Sequence, residues 1–172
     1  MIKENYEEKE PIWKRIFIIF LAIGLLLLVT SYILASYPLF PIVASLSESK
    51  IAENETIDLG RFSIIFTEEA YEDLQKYYNK DPSVEMAVCL KGRIEKDYII
   101  DEIYQPNIIE QTYNHVSFKP CSSDSIILLH SQPFRHCIAS EQDLITLDKV
   151  KQRNENIIMV IMCEPNRFSV YE

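Results

Sequence analysis

The residues of this chain whose types and spacing could do chemistry are His130, Gln132, Ser140 and Asp143, with Glu85 upstream. His130 and Gln132 are two apart, so on an extended backbone both side chains point to one side. The apolar run 126–129 leads into His130-Ser131-Gln132-Pro133, where a buried strand would stop and a cleft begin. Asp143 follows in what reads as the first turn of a helix. An imidazole and a carboxylate converging from a strand end and a helix start is a usual way to hold a divalent metal. Glu85 shares its strand face with Ala87 and Cys89, which argues that the face is covered. A covered carboxylate needs a partner.

Each of these residues also has a plainer reading. Ser140-x-x-Asp143 at a helix start is close to a capping box, which explains both residues without a metal. The two readings are compatible, because a capped helix start can still present Asp143 to an ion. His130 could be a structural histidine and Glu85 a surface carboxylate. Cys137 beside His136 suggests a thiol nucleophile, but no third group is positioned to complete one.

The elements that must position these residues follow from patterning. The 172 residues suffice for a membrane anchor and one modest domain. Residues 1–15 form a charged tail. Residues 16–34 carry no charge and are almost wholly apolar, and Pro38 and Pro41 should end the helix near Tyr37, giving an anchor over 16–37. At 1.5 Å per residue such a run crosses a hydrocarbon core of about 30 Å. Trp13, Tyr32 and Tyr37 stand where an interfacial aromatic belt would lie. The alternatives are a cleaved signal peptide and a buried core helix; the run is long for the former, and no small-x-small site follows at the usual distance. Lys3, Lys9, Lys14 and Arg15 precede the run, and the next basic residue after it is Lys50. That asymmetry places the N-terminus in the cytoplasm and the domain outside.

The net charge of −9 is carried entirely by residues from Glu48 onward, because the acidic and basic residues of 1–15 cancel. An acidic surface without a basic run repels phosphate backbones, which argues against nucleic-acid binding. Residues 38–58 read as a linker, with the domain at 59–172. Within it, strands are expected over 61–66, 84–90, 98–104, 113–118, 126–129, 157–163 and 167–171, and helices over 67–79, capped by Thr67, and 139–153. This is an α+β domain, a mixed sheet flanked by two helices. Cys89 and Cys163 lie in apolar runs and read as buried thiols; in an exported domain Cys121 could pair with Cys137. No CxxC pair occurs, which excludes a zinc ribbon.

Taken in order, these pieces resemble the JAMM (MPN+, JAB-domain) family of zinc-dependent isopeptidases, over about residues 60–172. That family's pattern is a glutamate early in a strand, then His-x-His-Pro, six residues, and Ser-x-x-Asp. Glu85, His130, Pro133, Ser140 and Asp143 match it at the right intervals. The resemblance implies a cytidine-deaminase-like α+β fold and a zinc ion held by His130, Asp143 and the residue at 132. It implies Glu85 as the base that takes a proton from the attacking water and returns it to the leaving amine, and Ser140 as a donor to the oxyanion. It implies hydrolysis of a peptide or isopeptide bond, as at the tail of a ubiquitin-like or sulfur-carrier protein. Two departures stand out. Gln132 replaces the family's second metal-binding histidine, and an amide oxygen is a poorer zinc donor than imidazole nitrogen. His136, four residues on, is a candidate replacement. The stretch between Phe118 and Ile126 is also short, which removes part of the expected substrate wall. The alternative is a catalytically impaired domain of the same fold, tethered to the membrane and binding a protein without cleaving it.

Overall fold

The computed structural model describes residues 11–36, 43, 47–132 and 136–172. The chain divides into two units, residues 1–39 and residues 40–172. The described part of the first is α1, Ile12–Ser36, a helix without buried residues that is long and apolar enough to cross a membrane. Tyr37, Pro38, Pro41 and Pro133, all used in the sequence reading, lie outside the described residues, as do residues 1–10.

The second unit is α+β. Its strands are β1 (Lys50–Ile51), β2 (Thr56–Asp58), β3 (Ser63–Phe66), β4 (Ala87–Ile94), β5 (Tyr98–Tyr104), β6 (Ile108–Thr112), β7 (His115–Phe118), β8 (Ser125–Ser131), β9 (Ile158–Glu164) and β10 (Arg167–Tyr171). Its helices are α2 (Glu68–Lys80) and α3 (Glu141–Lys151). Eight strands form one mixed sheet in the order β1-β10-β9-β8-β4-β5-β3-β2, and β6 and β7 form a separate hairpin. Residues 50–58, expected as linker, therefore contribute two strands to the sheet.

Alternation along the central strands explains why both faces are covered. Ile127, Leu129, Ile158 and Val160 pack into the larger core with Phe66, Ala70 and Leu74, under α2. The intervening Leu128 and Met159 point the other way and pack with Leu147 of α3. Every residue of β8 is buried, the signature of a strand sandwiched between helices. Strands β8 and β9 are parallel, with α3 as their crossover. The face of β8 that carries Leu128 also carries His130, so the imidazole emerges on the α3 side, at the carboxyl end of the strand. In open α/β sheets that end is where ligand crevices form.

The cysteines correct the sequence reading. Cys89 and Cys163 are not buried thiols, and Cys121 does not pair with Cys137. Disulfides join Cys89 to Cys121 and Cys137 to Cys163, with Cα–Cα separations of 5.8 and 5.3 Å, and no cysteine is free. Four cysteines allow three pairings, and spacing does not choose among them. The choice is made by the fold: β4 and β9 bury Cys89 and Cys163 beside the loops that carry the other two.

Candidate functional site

Helix α3 begins with Ser140 as N-cap, in a reciprocal box with Asp143. The Ser140 hydroxyl accepts from the Asp143 N–H at 3.2 Å, while the Ser140 N–H donates to Asp143 Oδ2 at 2.8 Å. The plain reading of Ser-x-x-Asp is therefore realised. It also divides the carboxylate in two. Oδ2 receives the Ser140 N–H, the Ser140 hydroxyl at 2.6 Å and Gln132 Nε2 at 3.2 Å. Oδ1 is turned towards His130, whose Nε2 lies 3.3 Å away.

His130 is 5% exposed. Its Nδ1 lies 3.2 Å from the Ser131 carbonyl oxygen, which can only accept, so Nδ1 carries the proton. In the neutral ring Nε2 then presents a lone pair to the Asp143 carboxylate; among the described residues this buried nitrogen makes no well-formed hydrogen bond, although it lies within ion-pair range of Asp143. A lone pair facing a carboxylate in a buried setting calls for a proton or a cation between them. Burial depresses the His130 pKa, but Asp143, Glu85 and the Ser131 carbonyl outweigh it, and the net direction is up. For Asp143, burial opposes ionisation and the contacts to His130 and Ser140 overcome it, holding the carboxyl down at about 2.

Glu85 lies two residues before β4 rather than inside it, a correction to the strand expected from 84. The hairpin fixes it there: its N–H donates to the Thr112 carbonyl at 2.8 Å, and its carbonyl accepts from Gln111 Nε2 at 2.7 Å. The next residue is stitched to the end of β8, with the Met86 N–H donating to the Ser131 hydroxyl and the Ser131 N–H to the Met86 carbonyl, both at 2.9 Å. Glu85 is 8% exposed. Burial lifts its carboxyl to about 7, with Asp143 adding to the rise and His130 opposing it.

Sequence reasoning missed β6. It is the element that holds Glu85 in place, and only the polar, Gln-bearing stretch Glu110-Gln111-Thr112 hinted at a backbone clamp.

Glu85, His130, Gln132, Ser140 and Asp143 line one cavity of about 310 Å³, and Glu85 and Gln132 also line a second, of about 700 Å³. The five residues selected from sequence thus share one chamber. His136 is near as well, its Nδ1 3.1 Å from Gln132 Oε1.

Among the described residues, no three His, Cys, Asp or Glu side chains gather as a metal-holding group. The pair that is present nevertheless has zinc geometry. Ligand bonds of about 2.0 to 2.1 Å at the tetrahedral angle put two donor atoms roughly 3.4 Å apart. The His130 Nε2 to Asp143 Oδ1 separation is 3.3 Å. That separation would suit two zinc ligands and equally an ion pair, and Gln132 turns its Nε2 rather than its oxygen towards Asp143.

No family model matches the chain, and no curated protein matches it.

Proposed function

We propose that this chain is a membrane-anchored, JAMM-like zinc-dependent peptidase or isopeptidase whose domain lies outside the cytoplasm. The observation that carries the reading is the buried His130 Nε2 facing Asp143 Oδ1 at 3.3 Å, with the Glu85 carboxyl in the same chamber. His130 and Asp143 would hold the ion, with Gln132 Oε1 as a weak third donor after a turn of its amide. Zinc there would supply Lewis-acid polarisation of the scissile carbonyl and an acidified water.

The chain's own residues do the rest. Ser140 and Gln132 fix Asp143 through Oδ2, leaving Oδ1 free to ligate. The Ser131 carbonyl holds His130 in the tautomer that exposes Nε2. Glu85, with its affinity for a proton raised by burial, takes a proton from water and returns it to the leaving amine. The Ser140 hydroxyl, at the chamber wall, would serve the developing oxyanion by swinging its one proton off Asp143 Oδ2, which the Ser140 N–H continues to hold. The protein tail that the family resemblance implies as substrate is part of this proposal.

The test is zinc content of the purified full chain in detergent. Near-stoichiometric zinc at micromolar free metal, lost in His130→Ala and in Asp143→Ala, is the expected result. Zinc-independent behaviour of all three proteins overturns the reading.

One observation favours a second reading. Gln132 Nε2 already donates to Asp143, so an amide occupies part of the place a cation would take. On that reading the domain is catalytically impaired and binds a protein partner without cleaving it.

A further inference from the structure

The chamber joins the polar cluster at His130 and Asp143 to an apolar stretch, and Asn114, His115, Ser117 and Gln142 also line it. Along β8, Gln132 and His130 are followed on the same face by Leu128. Along α3, Asp143 is followed at helical spacing by Thr146 and Val150. Met159 of β9 stands beside Leu128 in register, Phe118 of β7 packs against that pair, and Val116 lies opposite Gln111, beside the clamp on Glu85. Strand β8 and helix α3 therefore both run from hydrogen-bonding groups to carbon in the same direction. Leu128 lies two residues from His130, about 7 Å along the strand. That is the depth reached by a side chain on the residue next to a bond held at His130 and Asp143.

The cavity volume of about 310 Å³ is some ten times the ~30 Å³ that one water occupies in the liquid. A side chain of leucine or phenylalanine size fits in that space, since a cavity of about 150 Å³ already takes benzene. The wall is also preformed. Cys121 lines it and is bonded to Cys89 in β4, so the far side cannot collapse onto Leu128.

We propose that the substrate is an extended peptide carrying a bulky apolar side chain, of leucine or phenylalanine size, on the residue flanking the scissile bond, and that Leu128, Val150, Met159, Val116 and Phe118 select it. This rests on the peptidase reading but departs from the glycine-ended tail that the resemblance implies as substrate, since such a tail leaves the chamber empty.

The test uses the full chain in detergent with zinc and paired fluorogenic peptides that differ only in Leu, Phe or Gly beside the cleaved bond. Wild type is expected to prefer Leu or Phe over Gly by tenfold or more in kcat/KM, since one methylene in such a pocket is already worth about tenfold. Val150→Trp, which fills the chamber from α3, is expected to bring the ratio below threefold. Val116→Trp fills it from β7 and serves if the first variant does not fold. Equal cleavage of Leu and Gly peptides, or a ratio unmoved by both fillings, overturns the proposal. Binding of the same peptides to Glu85→Gln, by calorimetry, separates the two failures. A leucine preference there that Val150→Trp abolishes upholds the chamber even if nothing is cleaved; no preference in binding or cleavage overturns it.

Discussion

At the scale of single residues, position 132 decides how firmly an ion is held. Its amide donates to one oxygen of the Asp143 carboxylate and accepts from His136, so both of its ends are already engaged. Gln132→His replaces that amide with imidazole and completes the three protein ligands usual for a catalytic zinc. Zinc affinity is expected to rise by about tenfold or more, measured by competition with a chelating dye. Glu85 acts on a different quantity. Glu85→Gln is expected to lower kcat by roughly 10²–10⁴ while leaving zinc content unchanged. The same substitution reports on folding. In the metal-free protein the Glu85 pKa rises from its ordinary 4.5 to about 7 through burial. The folded state thus holds a proton that the unfolded state has released. Stability present below pH 4.5 is lost as pH rises through about 7, at a cost on the order of 3 kcal/mol. With a chelator present, wild type and Glu85→Gln are expected to unfold at similar urea concentrations at pH 4, and the variant later than wild type at pH 8.

At the scale of elements, two features bear weight for different reasons. Ser140 caps α3 and also fixes the Asp143 carboxylate. Ser140→Ala is expected to cost about 1 kcal/mol in urea unfolding, the usual value of an N-cap, and to weaken zinc binding with it. Gly92 sits at φ +155 at an irregularity of the β4–β5 pairing, where a Cβ would run into the Ile99 carbonyl oxygen. Backbone cannot yield there without breaking the ladder that leads to Glu85. Gly92→Ala is expected to destabilise by about 2 kcal/mol or more, read as a lower urea midpoint.

The elements differ in how legible they were. Strands β5 and β10 could be read to their ends, because each alternates or is apolar between clear turn residues. Helix α2 could be read from Thr67 and the two glutamates after it. Strand β6 could not, since Ile108–Thr112 has no buried residue and no apolar face. Strand β1 is two residues long, too short for any period. The positions of His130, Ser140 and Asp143 were legible because a strand end and a capped helix fix them locally. The tautomer of His130, the division of labour between the Asp143 oxygens and the location of Glu85 outside β4 depend on contacts from distant segments, which spacing does not encode.

At the scale of the molecule, the two disulfides and the charge around α1 make one argument about where the domain works. Disulfides persist in oxidising compartments and not in the cytoplasm. Both bonds lie in the unit that follows α1, and the basic residues Lys14 and Arg15 lie at its other end. Both observations support the proposed placement of the domain outside the cytoplasm. The bonds enclose sequence separations of 32 and 26 residues, which in the chain-entropy picture is worth about 3.5 kcal/mol each. Cys89–Cys121 also braces the apolar wall of the chamber, and Cys137–Cys163 ties the approach to Ser140 to β9. Reduction should therefore lower thermal stability and release zinc together, and the loss of zinc should be reversed by reoxidation. On intact cells a tag after Glu172 should be removed by added protease, and thiol labelling should require prior reduction. A protected tag with freely labelled thiols would put the domain in the cytoplasm, and the bonds, with the chamber they brace, would not form there.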